Sequence, residues 1–279
     1  MPVAGMVAVA ATLVEGPAGW GEWSQPPTGY PVDPSAARRA AHEAAWGAWP
    51  RPVRSRVPVN ALVPGVDPEQ AAALAAAAVA GGARCVKVKV GDAGGVDRVA
   101  AVRSAVGPDV ALRVDANGAW DLDTAVAVLG RLAAYDLELA EDPVRSLDDL
   151  ARLRRRVRVP LAADESVRSV GDAALLARLD AADAVVVKVQ PLGGVVPAMA
   201  VAEASGVPAV VSALYETSVG IAAGLALAAA LPELRGACGL GTAALLAADV
   251  VADPLVPVDG ELAVRRPVPD PDLLERYAV

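Results

Sequence analysis

The stretch RCVKVKVG, residues 84–91, sets two lysines two positions apart inside a short apolar run. Alternation with a period of two is typical of a β-strand, in which residues i and i+2 leave the same face. The pattern therefore predicts that Lys87 and Lys89 project side by side from a strand that is otherwise buried. Because a lysine is almost never fully buried unless it is paired or used, both are candidates for function.

On either side of this strand, strand-like and helix-like segments alternate from about residue 57 onward. The predicted strands are VPVNALV (57–63), CVKVKV (85–90), VALRVD (110–115), LELAE (137–141), VPLAAD (159–164), AVVVKV (184–189), VPAVVS (207–212) and RGACGL (235–240). The predicted helices are 68–80, 95–106, 121–134, 146–156, 169–179, 193–205 and 218–231. Eight strands that alternate with helices predict an α/β fold with a parallel sheet closed into a (β/α)8-type barrel.

The two ends of the chain fall outside this repeat and predict a small, reduced α+β cap. We predict an N-terminal capping region at 1–55, the barrel at 56–249, and a C-terminal segment at 250–279 that returns to the cap. The opening MPVAGMVAVAATLVEG lacks the basic region of a secretory signal and is too short to span a bilayer. It predicts strand pairing in a protein with no membrane partner.

Composition excludes several classes of function. The net charge is −8, and no basic block extends beyond RLRRRVR (152–158), which argues against a nucleic-acid partner. The isolated Cys85 and Cys238 predict reduced core thiols, and hence a cytoplasmic protein. The single histidine, His42, lies in a polar helical stretch, which excludes a Ser-His-Asp relay and a histidine-rich zinc site. Neither GxGxxG after the first strand nor GxxxxGK occurs, so nucleotide binding is not indicated.

A charged side chain ends each of five successive predicted strands, at intervals of 26, 26, 23 and 24 residues. In chain order these are Lys89, Asp115, Glu141, Asp164 and Lys188. The spacing is about one βα unit, so all five are expected at the C-terminal rim, where barrel enzymes place their chemistry. Coincidental charges at strand–loop boundaries are the alternative, which the ordered series of lysine, three acids and lysine disfavours.

The three acids predict a metal site, because converging carboxylates repel one another unless a cation lies among them. Oxygen ligands from Asp115, Glu141 and Asp164 favour Mg²⁺, with Mn²⁺ possible, over zinc. A cation that binds a substrate carboxylate stabilises the anion formed when the adjacent α-proton leaves.

The base for that proton is then a lysine, whose usual pKa of about 10.4 keeps it protonated at neutral pH. A second cation at Lys87, beside Lys89, disfavours the ammonium form and lowers its pKa. The alternative for Lys87 is an ion pair with an acid of a neighbouring strand.

The segments that carry these charges, KVKVG, RVDANGAW, AED, ADES and VVVKVQPLGG, resemble the enolase superfamily, in the branch with a lysine on each side of the site. Longer stretches extend the resemblance to the o-succinylbenzoate synthases of the actinobacterial type over nearly the whole chain. These stretches are GPAGWGEW (16–23), RVPVNALVPG (56–65), ETSVGIAAGLALAAALPEL (216–234) and ACGLGTAALLAADVVADPLVP (237–257).

The resemblance implies Mg²⁺-dependent dehydration of 2-succinyl-6-hydroxy-2,4-cyclohexadiene-1-carboxylate to 2-succinylbenzoate in menaquinone biosynthesis. The substrate is thus a small carboxylate. Lys89 would take the proton α to the carboxylate, with the metal on the three acids, and Lys188 would stabilise the anion by charge and cation–π contact. The oligomeric state stays open.

The resemblance also suggests groups around this centre. Arg113 and Asn117 flank Asp115 at i±2 and share its face, which makes them candidates to contact the substrate or support the ligands. Ser212 is a candidate for a substrate carboxylate or a plain strand-end hydroxyl. The free N–H groups of Gly193-Gly194 are candidates to receive the succinyl carboxylate. Relatives usually begin with a further strand and a basic loop that closes over the substrate. The sequence therefore does not predict how the cap of this chain covers its substrate.

Two other functions stay open. Opposed lysines suit racemisation of N-acylamino acids, such as N-succinylamino acids. A dipeptide epimerase is disfavoured, because CGLGTAALL stands where an Asp-x-Asp grips the substrate amine in those enzymes. The alternative outside catalysis is a barrel that serves as a binding protein, which has no need for Mg²⁺ near Asp115.

Overall fold

The computed structural model describes residues 9–25 and 33–278 of the chain. Its strands are β1 (Ala11–Gly16), β2 (Gly19–Ser24), β3 (Arg56–Pro58), β4 (Ala61–Val63), β5 (Cys85–Lys89), β6 (Ala111–Asp115), β7 (Leu137–Glu141), β8 (Leu161–Ala163), β9 (Ala184–Lys188), β10 (Ala209–Ser212) and β11 (Glu261–Ala263). Its α-helices are α1 (Pro34–Trp46), α2 (Pro68–Ala80), α3 (Gly95–Val106), α4 (Leu122–Leu132), α5 (Leu147–Arg154), α6 (Val170–Leu179), α7 (Val189–Leu192), α8 (Val195–Ser205), α9 (Ser218–Ala230) and α10 (Pro271–Tyr277). Short 3₁₀ turns lie at Ala133–Tyr135 and Gly241–Leu245.

Seven parallel strands form the central sheet, in the order β10-β9-β8-β7-β6-β5-β4. The order follows the chain, with a helix after each strand, so the predicted α/β alternation is confirmed. Because the strands are parallel, their C-terminal ends all lie at the same edge of the sheet. All residues of β9 (AVVVK) are buried, as expected for a parallel strand covered on both faces. Helices pack outside the sheet against a core of Val, Leu and Ala.

The first predicted strand is divided in two. β3 pairs antiparallel with β11, whereas β4 joins the central sheet beside β5. Pro58 ends β3 and has no N–H to donate to a ladder, so the backbone changes partners there.

The eighth predicted strand, 235–240, forms isolated parallel bridges instead of a regular strand. Cys238 bridges to Val59, and Gly239 bridges to Ser212 at the end of β10. The segment thus contacts β10 and the residues that lead into β4. Its ladder is broken because Gly236 has φ 69° and the neighbouring carbonyls accept from the Arg113 guanidinium instead.

The N-terminal hairpin of β1 and β2 packs on α1, as the strand prediction requires; residues 1–8 lie outside the described residues. A Cβ on Gly21 would lie 1.9 Å from the Ala41 carbonyl oxygen, so only glycine fits this contact. Both cysteines are buried and free, as predicted. Within 9–25 and 33–278, no helix has the length and apolar character needed to cross a membrane.

Candidate active site

The five charged strand ends predicted from the sequence line a single cavity of about 860 Å³ at the C-terminal edge of the sheet. Lys89, Asp115 and Glu141 are register partners on β5, β6 and β7, so neighbouring strands hold them side by side. Asp164 follows β8, and Lys188 ends β9. The acids therefore stand between the two lysines in strand order.

Lys87 and Lys89 converge on one carboxylate oxygen. Lys89 Nζ donates to Asp115 Oδ2 at 2.7 Å, and Lys87 Nζ donates to the same oxygen at 2.9 Å. Lys87 Nζ also donates to Glu141 Oε1 at 2.9 Å, which is the ion pair considered as the alternative role for Lys87. The two lysines thus leave the same face of β5, as the alternation predicts.

Exposure separates the two lysines. The Lys89 side chain is 32% exposed, against 11% for Lys87, so Lys89 is the one that a molecule in the cavity can reach. Burial lowers the pKa of Lys87, but Asp115 and Glu141 outweigh it and raise that pKa above its usual range. Lys87 is therefore a fixed cation. The same contacts act on Asp115: burial raises its pKa, and Lys87 and Lys89 hold it below the usual range.

Lys188, at the end of β9, pairs with both oxygens of Asp164. Burial raises the pKa of Asp164 to about 8; Lys188 opposes this rise, and repulsion from Glu141 and Glu165 adds to it. Because Lys188 contacts both of its oxygens, Asp164 has a cationic partner even though it is buried.

In the part of the chain that the structure describes, no three His, Cys, Asp or Glu side chains form a group that could hold an ion, and lysine ammonium groups contact the three acids instead. The donor set nevertheless fits a hard divalent cation, since Asp115, Glu141 and Asp164 offer oxygen ligands at successive strand ends. Glu165 Oε2 is also buried there without a hydrogen bond. A cation would counter the burial, and the repulsion from Glu141 and Glu165, that raise the pKa of Asp164.

Asn117 and Ser212 both line the cavity. Asn117 Oδ1 accepts from Lys89 Nζ at 2.6 Å, and its backbone N–H donates to Asp115 Oδ1 at 3.0 Å. Asn117 therefore orients the lysine and the acid together. Ser212 Oγ makes one long hydrogen bond of 3.4 Å to the Gly239 carbonyl, so its hydroxyl remains available to a ligand.

Arg113 does not reach the cavity, which corrects the expectation that it contacts substrate. Its side chain is 1% exposed and donates to Glu138 Oε2 at 2.7 Å and to the carbonyls of Ala237 and Arg235 at 2.7 and 2.6 Å. It shares a strand face with Asp115 but lies deeper, where it holds segment 235–237 to β6.

The expectation for Gly193 and Gly194 is also corrected, because the start of α8 already has an anion. Glu43 of α1 accepts from the N–H groups of Val195 and Val196, the latter at 3.0 Å. The N–H groups of both glycines donate to the Val189 carbonyl at 3.0 Å. The glycines serve packing instead: a Cβ on Gly194 would lie 2.3 Å from Glu43 Oε2.

Two further acids at the rim were not identified from the sequence. Asp142 accepts from the backbone N–H groups of Asp164 and Glu165, both at 2.8 Å, and so fixes the turn after β8. Glu165 Oε1 accepts from Asn117 Nδ2 at 3.1 Å. Asn117 and Asp142 have φ of 48° and 42°, a conformation that Asn and Asp tolerate best. The sequence signal that could have identified Asp142 and Glu165 is the second acid of the pairs in AED and ADES.

The fold and the charged strand ends define a member of the enolase superfamily, and residues 70–270 match the family described as enolase C-terminal domain-like. The chain belongs, within it, to the o-succinylbenzoate synthases. It is 53% identical over 259 residues to the o-succinylbenzoate synthase of Thermobifida fusca (strain YX), which covers 91% of this chain and 81% of that protein. The resemblance stated from the sequence is thereby confirmed.

Solved structures give the same fold. An N-succinyl Arg/Lys racemase from Bacillus cereus ATCC 14579 has a TM-score of 0.76 and 28% identity, covering 82% of this chain and 64% of that one. A dipeptide epimerase from Cytophaga hutchinsonii, complexed with Mg and a dipeptide, has a TM-score of 0.82 over 93% of this chain and 86% of that one. At 21% identity, the second supports the fold alone.

Proposed function

We propose that this chain dehydrates 2-succinyl-6-hydroxy-2,4-cyclohexadiene-1-carboxylate to 2-succinylbenzoate, a step of menaquinone biosynthesis. The observation that carries the proposal is the single cavity in which two lysines stand on either side of three carboxylates. The named relative at 53% identity supports the choice of substrate.

Lys89 removes the proton next to the substrate carboxylate. It is the more exposed lysine of β5, and Asn117 and Asp115 hold its Nζ at 2.6 and 2.7 Å. Lys87 stays protonated against Asp115 and Glu141, so it places a fixed positive charge beside the base.

Asp115, Glu141 and Asp164 would hold a Mg²⁺ ion, with Mn²⁺ as the other candidate. When bound, the ion supplies positive charge that stabilises the negative charge developing on the substrate carboxylate. Asp142 keeps the Asp164 turn in place through its two backbone hydrogen bonds.

Lys188 acts from the opposite wall, where its ammonium group stabilises the developing anion and the forming ring. The β-hydroxyl leaves as water with the proton that Lys89 has taken, and the ring becomes aromatic. Ser212 is placed to donate to a substrate oxygen, since its hydroxyl has only the long bond to Gly239.

We also propose that the sheet closes as a (β/α)8-type barrel at 56–249, through the bridges of segment 234–239, with a cap from 1–55 and 250–279. Arg266 supports the shared cap, because it donates to the Trp20 carbonyl at 3.1 Å and to the Ala44 carbonyl. The buried thiols of Cys85 and Cys238 support a cytoplasmic location.

An aromatisation assay tests the function. The chain is incubated with the cyclohexadiene substrate, with and without Mg²⁺, and formation of 2-succinylbenzoate is followed by ultraviolet absorbance. We expect turnover that depends on Mg²⁺. Absence of turnover at saturating Mg²⁺ would contradict the proposal.

Racemisation of N-succinylamino acids is the second candidate, because Lys89 and Lys188 line one cavity and the similar Bacillus cereus structure is that of a racemase. Incubation in D₂O separates the two reactions. Exchange of the α-hydrogen at a rate that rivals dehydration would favour the racemase.

A further inference from the structure

Two arginines at the rim differ from the buried arginines in how their guanidinium groups are used. Arg145 and Arg168 line the same cavity as Lys89 and Lys188. Arg145 Nε donates to the Gly118 carbonyl at 3.0 Å, and Arg168 Nε donates to the Glu165 carbonyl at 2.8 Å. Each guanidinium is thus held to the backbone through a single nitrogen.

The terminal nitrogens of these two groups make no hydrogen bond or ion pair with any residue of 9–25 and 33–278. Arg98 and Arg113, both buried, use every guanidinium nitrogen on carbonyls or carboxylates. An arginine fixed through Nε presents its remaining N–H groups in one plane, which is the geometry that binds a carboxylate by two hydrogen bonds.

The two arginines flank one element of the rim. Asn117 Nδ2 donates to Glu165 Oε1 at 3.1 Å and so joins the turns after β6 and β8. Arg145 is anchored on the residue that follows Asn117, and Arg168 is anchored on Glu165 itself. Both arginines are exposed and line the cavity that contains the base and the acids.

The substrate of the proposed function is a dianion. Its ring carboxylate belongs at Lys89 and the acids, where the proton is removed, and its succinyl arm ends in a second carboxylate about four bonds beyond the ring. The ammonium groups of Lys87 and Lys188 are engaged by carboxylates of the protein. The N–H groups at the start of α8 are taken by Glu43. Arg145 and Arg168 remain as cavity-lining cations with unused donors.

We propose that Arg145 and Arg168 bind the carboxylate at the end of the succinyl arm, and that they set the preference of this site for substrates with two carboxylates. The proposal rests on the proposed function for the identity of the arm. Both residues touch substrate away from the reacting carbon, so they act on binding more than on the chemical step.

The test compares two ligands that differ only at the distal group. Isothermal titration in the presence of Mg²⁺ measures Kd for 2-succinylbenzoate and for 2-butanoylbenzoate, in which a methyl group replaces the distal carboxylate. We expect the wild-type chain to prefer 2-succinylbenzoate by roughly 10- to 100-fold. Arg145→Ala and Arg168→Ala, combined in one chain, should remove this preference and leave Kd for 2-butanoylbenzoate unchanged.

The matched control combines Arg131→Ala and Arg178→Ala, two exposed arginines in the last turns of α4 and α6. This control should keep the wild-type preference for 2-succinylbenzoate. In the test variant, an unchanged Kd for 2-butanoylbenzoate verifies that the protein is folded. A preference that survives in the test variant, or that is absent from the wild type, overturns the proposal. Because the titration needs no turnover, a wild-type chain that binds but does not aromatise the substrate contradicts the proposed function separately.

Discussion

Two buried groups of acids in this protein have opposite surroundings. At the rim cluster (Asp115, Glu141 and Asp164), the carboxylates face lysine ammonium groups. At the junction pair (Glu22 of β2 and Glu216 before α9), the acids face neutral donors instead. Glu22 accepts from the N–H groups of Thr217 and Gly220, both at 2.9 Å, and Glu216 accepts from the Leu214 N–H at 3.2 Å.

The comparison teaches that burial alone does not decide in which direction the pKa of an acid shifts. Burial raises the pKa of Glu22 despite its hydrogen bonds, and burial together with repulsion from Glu22 raises the pKa of Glu216 to about 8. At the rim, Lys87 and Lys89 reverse this direction for Asp115. The junction pair therefore joins the N-terminal hairpin to α9, whereas the rim cluster keeps charge available for chemistry.

The largest effect is expected at the rim, from Lys89→Ala. Loss of the base should lower kcat by roughly 10²- to 10⁴-fold, because proton removal then has no positioned acceptor. Steady-state aromatisation kinetics measure this, while circular dichroism and Mg²⁺ titration should match the wild type. Lys89→Arg is the matched variant, since its guanidinium keeps the positive charge but does not give up a proton to become a base, and it should be equally inactive. Substantial turnover by either variant would remove Lys89 from the base role.

Asp164→Asn tests whether Asp164 is a metal ligand or only a buried acid. Loss of one anionic oxygen should raise the Mg²⁺ concentration for half-maximal activity by at least about tenfold. Asp109→Asn, at an exposed position before β6, is the control and should leave it unchanged. An unaltered Mg²⁺ requirement in Asp164→Asn would show that the third ligand lies elsewhere.

At the junction, Glu22→Ala is expected to affect stability. It leaves the buried N–H groups of Thr217 and Gly220 without an acceptor, so the free energy of unfolding should fall by about 2–4 kcal/mol. Urea denaturation measures the change. Glu15→Ala, on the exposed face of the same hairpin, should stay within about 0.5 kcal/mol of the wild type. Equal stabilities for the two variants would contradict the role given to Glu22.

The smallest effect is a pH dependence from Glu216. Its pKa is raised from 4.5 to about 8 on folding, so the folded state binds the extra proton between these values. Its contribution to stability is full below pH 4.5 and is lost as the pH rises through about 8. Glu216→Gln should flatten the decline of the melting temperature over this range. A decline as steep as in the wild type would place the titrating group elsewhere.

Much of the fold and of the rim could be predicted from local pattern. Helices α2 and α3 begin and end at the predicted residues, because Pro68 and Gly95 start them and Gly81 and Gly107 follow them. The five strand-end charges were found because parallel strands in chain order bring their C-terminal ends to one edge. Family membership followed from these segments and their flanks.

The roles of the remaining charged residues depended on contacts between distant parts of the chain. Arg113 has the spacing of a site residue, yet carbonyls more than a hundred positions away take its donors. The helix start at Gly194 has the pattern of an anion site, yet Glu43, 152 positions before Val195, occupies it. No local signal distinguishes a free donor from an engaged one, so Arg145 and Arg168 were not identified either.

The sequence by itself determined which side chains share a strand face and which strand each one ends, because alternation and chain order are local properties. The tertiary structure decided the partner of each charged group, and hence whether it is a base, a fixed cation or a structural link. The physical reason is that the pKa and hydrogen bonding of a buried group depend on the few atoms around it, which come from several distant segments.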